Sequence, residues 1–586
     1  MFSSAFLRRI IALLVVLFCE QVSSSALAYD FDNDGDIGTD ADIEAFFSCL
    51  GGSCCSNCRT TDINGDGVSG TDDDIAAFFI LLSGGVLPAS EIATITPGRG
   101  FSAAESPLPA VGVAGMFGYD AKAIARWNVV PFQAFSDDFN VGLVAFHVNG
   151  IDRVEFSANG GPWLEVRNPQ LNPQTNVREY TARLRSQDFA PSASVEIRAR
   201  EIPSVAGIPR VLAGEFRRET ANLGEHSLML TANPPPTISR YVSLTGSDTA
   251  GDGSRARPYQ SIGRAAYSIQ QAQGRNADGG TIYLEAGDHT YGTYSWGMDT
   301  STENRWLTIT RASGLSRDQV RLVRTGISSS GHQVGIYTKL VRLQGLTVAY
   351  LNASDPILLT GGADLDDYIW FDNVRAEGPG RYTYHNWSGG WSGAFITGSQ
   401  FRNAIDGPVG LLVRDTEAFE MGQDGFSGSQ LVVNSRAWSL VQIYPFHSDM
   451  FQIYSDATTR NIIIYGTIFA GDNNGQGLFI APNSGSVDGI AVVDSVFDNQ
   501  SLMNDPDGST GAYGYCFQAA AQMNHVYIRN TTFVGAAAWR TDSPVYRAAN
   551  VVIENSRFPS HRFNKPSPDD SSPLLGVSPL TNVLYR

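Results

Sequence analysis

The back half of the chain repeats one hydrophobic pattern. Short alternating apolar runs end alike in "LVVNSRAW" (431–438), "IIIYGTIF" (462–469), "IAVVDSVF" (490–497), "VYIRNTTF" (526–533) and "VVIENSRF" (551–558). Weaker copies are "VRLQGLTV" (341–348), "YIWFDNVR" (368–375) and "FITGSQF" (395–401). Alternation sends every second side chain inward, and the Asn, Asp or Gly near the end turns a corner. Copies recur every 17–36 residues, which predicts a solenoid of roughly ten rungs with loops of variable length. A β-propeller would repeat four strands at a time, and no such block recurs.

Upstream, "VGLVAFHVNGIDRVEFSANGGPWLEV" (141–166) alternates and breaks at Asn149-Gly150 and at Asn159-Gly160-Gly161, the signals of hairpin turns. "EYTARLRSQDF" and "ASVEIRARE" alternate too. Residues 105–232 are therefore expected to form an immunoglobulin-like or fibronectin-like β-sandwich, a spacer more than a site. Trp127 and Trp163 are expected in its core, with a sugar-stacking face as the alternative. Residues 86–104 read as linker, and Pro234-Pro235-Pro236 within 233–239 as a short stiff spacer.

Near the start a third pattern appears. "DFDNDGDIGTDADIEAFF" (30–47) overlays "DINGDGVSGTDDDIAAFF" (62–79) at an offset of 32 residues. Acids at every second position repel one another unless a cation lies among them. Oxygen ligands at loop positions 1, 3 and 5, a carbonyl at 7 and a glycine at 6 suit calcium. The expected ligands are Asp30, Asp32, Asp34 and the Asp36 carbonyl, then Asp62, Asn64, Asp66 and the Val68 carbonyl. Position 12 is Ala41 or Asp73, whereas position 13 is acidic in both copies, so Asp42 and Asp74 are expected to close loops one residue longer. Each loop leads into Ile-x-x-Phe-Phe, the start of a helix with one apolar face. A flexible acidic linker would not keep Phe-Phe at fixed spacing.

Composition narrows the partners. Net charge is −18, and residues 30–74 carry twelve acids against Arg59 alone. No basic patch stands out, which argues against nucleic acid and anionic membranes. Arg8 and Arg9, the apolar run Ile10–Cys19 and Ala26-Leu27-Ala28 form a secretory signal, expected to be cut after Ala28. Ten apolar residues fall short of the ~20 that span a bilayer, so the mature chain (29 onward) is expected to be exported, not inserted, and monomeric. In that setting Cys49, Cys54, Cys55 and Cys58 are expected to form two disulfides in one of three pairings, with a zinc site as the alternative. Cys516 is expected to be buried and inert.

Two resemblances rest on these residues. Residues 30–83 resemble the dockerin family, which implies two calcium sites and a cohesin-like protein partner on a scaffold or surface. The extra loop residue, the cysteine insert and the N-terminal position depart from that family's pattern. "RYVSLTGSDTAGDGSRARPYQSIGRAAYSI" and "GGTIYLEAGDHTY" resemble the N-terminal cap of the pectate-lyase-like superfamily. That likeness implies a right-handed parallel β-helix over 240–565, plugged by a helix near Ile262–Gln271, with a tail at 566–586. The expected fold class is thus mainly β: a parallel β-helix solenoid preceded by a β-sandwich and a small α-helical dockerin-like module at 29–85.

Candidate chemistry lies in "GQDGFSG" (422–428), "FHSDMFQIY" (446–454) and "GDNNGQGLFI" (471–480). Aligning Phe426, Phe451 and Leu478 stacks Asp424, Asp449 and Gln476, with His447 and Gln452 beside them. Neighbouring rungs lie ~4.8 Å apart. If both acids point outward, like charge raises one pKa and leaves the other ionised, as glycoside hydrolysis requires. Alternatively the pair holds a further calcium while Arg402, Arg414 or Arg436 removes a proton alpha to a uronate carboxylate. His447 would serve as general acid, and the aromatic insertion holding His385, Trp387 and Trp391 could stack on sugar rings. No polygalacturonase motif is seen. The reading is a polysaccharide lyase or glycoside hydrolase; the rival is a non-catalytic surface or matrix protein that binds glycan or a partner, and the acids are then corner formers.

Overall fold

A computed structural model describes the chain except chiefly 1–30, 33–38, 64–71, 83–91, 102–111, 215–224, 274–278, 291–304, 325–339, 351–367, 379–393, 441–448, 454–458, 471–475, 481–485, 499–514, 542–547, 558–579 and shorter gaps. It forms two compact units, 1–91 and 92–586.

The first unit is built on the 32-residue repeat. Helices Asp40–Leu50 and Asp72–Leu82 each present the first phenylalanine of their pair to a shared core. Phe46 and Phe78 stack at 4.0 Å with planes 9° apart, and Phe31 meets both edge-on. Ile63, the repeat partner of Phe31, completes the cluster with Ala77 and Cys49. The second phenylalanines, Phe47 and Phe79, are each 43% exposed. Cys49 pairs with Cys54 and Cys55 with Cys58, which settles the pairing and leaves no thiolates for zinc.

In the second unit, two β-sheets pack face to face around Trp127, Phe156, Leu143 and Val195. One has four described strands and is antiparallel; the other has six and is antiparallel except for one parallel pair. Trp127 is in that core and donates from Nε1 to the His226 carbonyl. Trp163 is half-buried under the Arg200 guanidinium, 3.6 Å from its ring centre. The expected linker contributes here as well: Ile95 is fully buried in the sandwich, and its N–H donates to Arg183.

The rest is a parallel β-helix. Among the described residues, three parallel sheets hold thirteen, ten and five strands, so the ladder is longer than ten rungs. In the first sheet Ile282, Ile309, Leu343, Phe371 and Ile396 fall in one inward column. In the second, Phe469, Phe497 and Phe533 stack at 4.5 and 4.9 Å. Where that column narrows to Ala418 and Ala437, Phe426 and Phe451 of the third sheet join the same core. Helix Ile262–Gln273 buries Ile262, Ala265 and Ile269 against the first rungs and so covers their end. The expected tail at 566–586 instead ends in strand Leu580–Tyr585, which pairs with Ala548–Glu554.

The Asn-Ser motif has a physical origin. Asn373, Asp415, Asn434, Asp494 and Asn530 turn the corner at positive φ, where a short polar side chain is tolerated. The residue after each, except Val374 after Asn373, is Ser or Thr. Thr416 N–H donates to Ser435 Oγ, Thr467 N–H to Ser495 Oγ, and Thr531 N–H to Ser556 Oγ, each one rung on. These hydroxyls satisfy backbone groups that the corner removes from the sheet.

The sandwich is no spacer. It lies along the outer face of the first sheet: Ile124, Val144, Phe146 and Val177 join Ile463, Tyr465, Val493 and Tyr527 in one apolar cluster. Asn461, Gly489, His525 and Asn550 sit at positive φ in four successive strands, and the strand register skips each of them. Asn461 points into the seam, where Oδ1 accepts from Ala125 N–H at 2.7 Å and Nδ2 donates to the Ala125 carbonyl at 2.6 Å. Trp306 Nε1 donates to Pro131, Arg178 N–H to Tyr465 Oη, and Arg414 Nη1 to the Asn128 carbonyl.

Candidate functional site

The third sheet begins at Phe426–Ser427, followed by Asp449–Ile453 and Gln476–Ile480. Phe426 pairs with Phe451 and Phe451 with Leu478, the alignment expected from sequence. Asp449 therefore lies opposite Gln476, and Asp424 stands just ahead of the strand on the neighbouring rung. Asp449 N–H donates to Asp424 Oδ1 at 3.1 Å, and Gln452 Nε2 donates to Asp449 Oδ2 at 2.9 Å. Three of the four proposed catalytic residues thus touch. His447 lies outside the described residues, as do His385, Trp387 and Trp391.

The outward orientation on which acid–base work by this pair depends is not found. Asp424 is 1% exposed, Asp449 0% and Gln452 9%. Each acid stands two residues before a core phenylalanine, the parity a strand gives to its inner face. Glycines permit the tight approach: a Cβ on Gly425 would meet the Met450 carbonyl at 2.6 Å, and one on Gly407 would strike the Gly425 carbonyl. Gly407 N–H donates to the Asp424 carbonyl just as Gly425 N–H donates to that of Asp449. An Asp-Gly pair therefore recurs at 406–407 and 424–425, one rung apart. That recurrence was a further signal for the column; Asp406 itself lies outside the described residues.

None of the three arginines considered as a base is on the third sheet. Arg402 Nη2 pairs with Glu377 on the second sheet at 2.8 Å. Arg436 lies over the Trp438 ring, which stacks on Phe419. Arg414 is spent on the sandwich seam. The strongest pKa displacements among the described residues also lie in the sandwich and at its seam. Burial raises Glu201 to about 8 against the pull of Arg210, lowers His147 to about 4 and lowers His226 to about 3. Their first cause is loss of water, not assembly of reactive groups.

Of the expected calcium ligands, Asp32 and Asp42 are described; Asp30, Asp34, Asp36, Asp62, Asn64, Asp66 and Val68 lie outside the described residues, and so does the Asp74 side chain. Asp42 ties its helix to the residues around the first loop. Its Oδ1 accepts from Phe31 N–H at 2.5 Å and Asp32 N–H at 3.3 Å, and its Oδ2 from Thr39 N–H at 2.8 Å. Thr39 and Asp42 form a capping box on the helix. This buried carboxylate thus has a structural task of its own.

No protein-family model matches the chain, and no curated protein matches it by sequence. Solved structures similar to it include a GH136 lacto-N-biosidase from Eubacterium ramulus, at 10% identity and TM-score 0.30 over 59% of this chain and 67% of that one. Another is a family 28 exopolygalacturonase from Yersinia enterocolitica, at 10% identity and TM-score 0.28 over 78% and 99%. At these values neither likeness says anything about activity. The β-helix is read from strand register.

Proposed function

We propose that this is an exported protein that acts on polysaccharide, as a glycoside hydrolase or lyase, through the third-sheet column. The supporting observation is the contact of Asp424, Asp449 and Gln452 across successive rungs. The displaced arginines make hydrolysis the better-supported chemistry. A second reading is favoured by burial of both acids: a non-catalytic surface or matrix protein that binds glycan or a partner protein. Screening the full chain on neutral and acidic polysaccharides separates the two. The enzyme reading expects turnover that Asp449→Asn lowers by about 10²–10⁴-fold, the scale of general acid–base catalysis. A silent panel supports the binder.

In the same proposal the N-terminal module anchors the protein, dockerin-like, to a cohesin-like partner and holds two calcium ions. Calcium would supply the positive charge that its crowded carboxylates lack. Chelation of the full chain is expected to expose residues 30–82 to protease, and calcium to restore protection. Equal cleavage with and without chelator would retire the calcium claim.

A further inference from the structure

At the seam between sandwich and solenoid, His525 occupies the left-handed column at φ 53°, a region that histidine enters more readily than most side chains. Its side chain is 6% exposed. Nδ1 lies 2.7 Å from Asp488 Oδ1 on the preceding strand, and Nε2 lies 3.4 Å from Asp120 Oδ1 on the sandwich. Both neighbours are carboxylate oxygens. A neutral imidazole carries one N–H and can serve only one of them; the doubly protonated ring serves both.

We propose that protonated His525 is a pH-dependent latch that fastens the sandwich turn at 115–121 to the β-helix. The groups around it are consistent with this role. Asp488 faces it from one side and Asp120 from the sandwich, while the strand on the other side places the uncharged Asn550 in the same column. The second imidazole nearby, His147, is held neutral: Asn149 N–H donates to its Nδ1, and its Nε2 faces the Ala121 carbonyl at 3.0 Å. Burial opposes charge on His525, but Asp488 and Asp120 outweigh it and raise the pKa above the ordinary 6.5. With a raised pKa in the docked state, the latch is fully present below that ordinary value and is lost as pH rises through the raised one. The apolar seam remains, so release is local to the turn.

The test is hydrogen exchange of the full chain, comparing wild type with His525→Asn at each pH so that intrinsic exchange rates cancel. Asparagine keeps the left-handed backbone, as Asn461 and Asn550 show in the same column. The titration of Glu201 is common to both proteins and also cancels. At about pH 5.5 the amides of 115–123 should exchange more slowly in wild type, by roughly tenfold per unit that the pKa exceeds that of free imidazole. By about pH 9 the two proteins should agree. Asp120→Asn should remove the acid-side difference at the turn while leaving protection of Ser486–Val493 unchanged. A difference that is absent, or that persists equally at both pH values, would overturn the latch.

Discussion

Asn461→Ala is expected to destabilise the second unit by about 3–5 kcal/mol, the largest single effect in the solenoid. The side chain is fully buried and replaces a neighbouring strand for Ala125, accepting its N–H and donating to its carbonyl. Its own carbonyl accepts from Arg126 Nε. Alanine would leave two buried backbone groups of Ala125 unsatisfied, at roughly 1–3 kcal/mol each. It would also hold φ 61° without the short polar side chain that lets asparagine tolerate that region better than alanine. Asn461→Gly separates the two contributions, because it relieves the backbone cost and restores no bond. Urea unfolding of the three proteins should rank wild type well above glycine, with alanine lowest. Wild-type stability in the alanine variant would mean that the seam does not depend on this residue.

Phe46→Ala is expected to unfold the N-terminal unit. Its ring packs against Phe78 and Phe31 in a core with few other members. Truncation of a buried phenylalanine costs about 3–5 kcal/mol, and a module of this size has little to lose. Phe47→Ala removes an equal volume from the surface and should cost about 0.5 kcal/mol or less. Limited proteolysis of the full chain reads the contrast: rapid cleavage between the helices with Phe46→Ala, and wild-type resistance with Phe47→Ala. Equal behaviour of the two variants would contradict the assignment of inner and outer phenylalanines.

Much of the fold was legible in local pattern. The 32-residue offset pairs Phe46 with Phe78 and Phe31 with Ile63, which are the residues of the observed core. The Asn-Ser motif marks corners because both residues have local backbone tasks there. The register of Phe426, Phe451 and Leu478 also follows from sequence, since identical rungs stack in register. The face of the two acids is legible too: Asp424 and Asp449 share parity with core phenylalanines, which places them inward. The docked sandwich is not legible in this way. "IIIY" and "AVV" are continuous apolar runs within otherwise alternating repeats, the mark of a strand covered on both sides. The partner covering them is more than 300 residues away, as with Ala125 and Asn461, and no local pattern identifies it.

Solenoids usually gain and lose repeats cheaply, because each rung touches only its neighbours. Here the sandwich grips the first sheet from Trp306, just before Leu307–Arg311, to His525 in Gln522–Arg529. Nine strands of that sheet fall within its grasp. Inserting or deleting one rung inside that span would displace every later contact by ~4.8 Å. The sandwich therefore works as a gauge: duplication and loss of rungs are barred between its grips and left open beyond them, toward the C-terminal end.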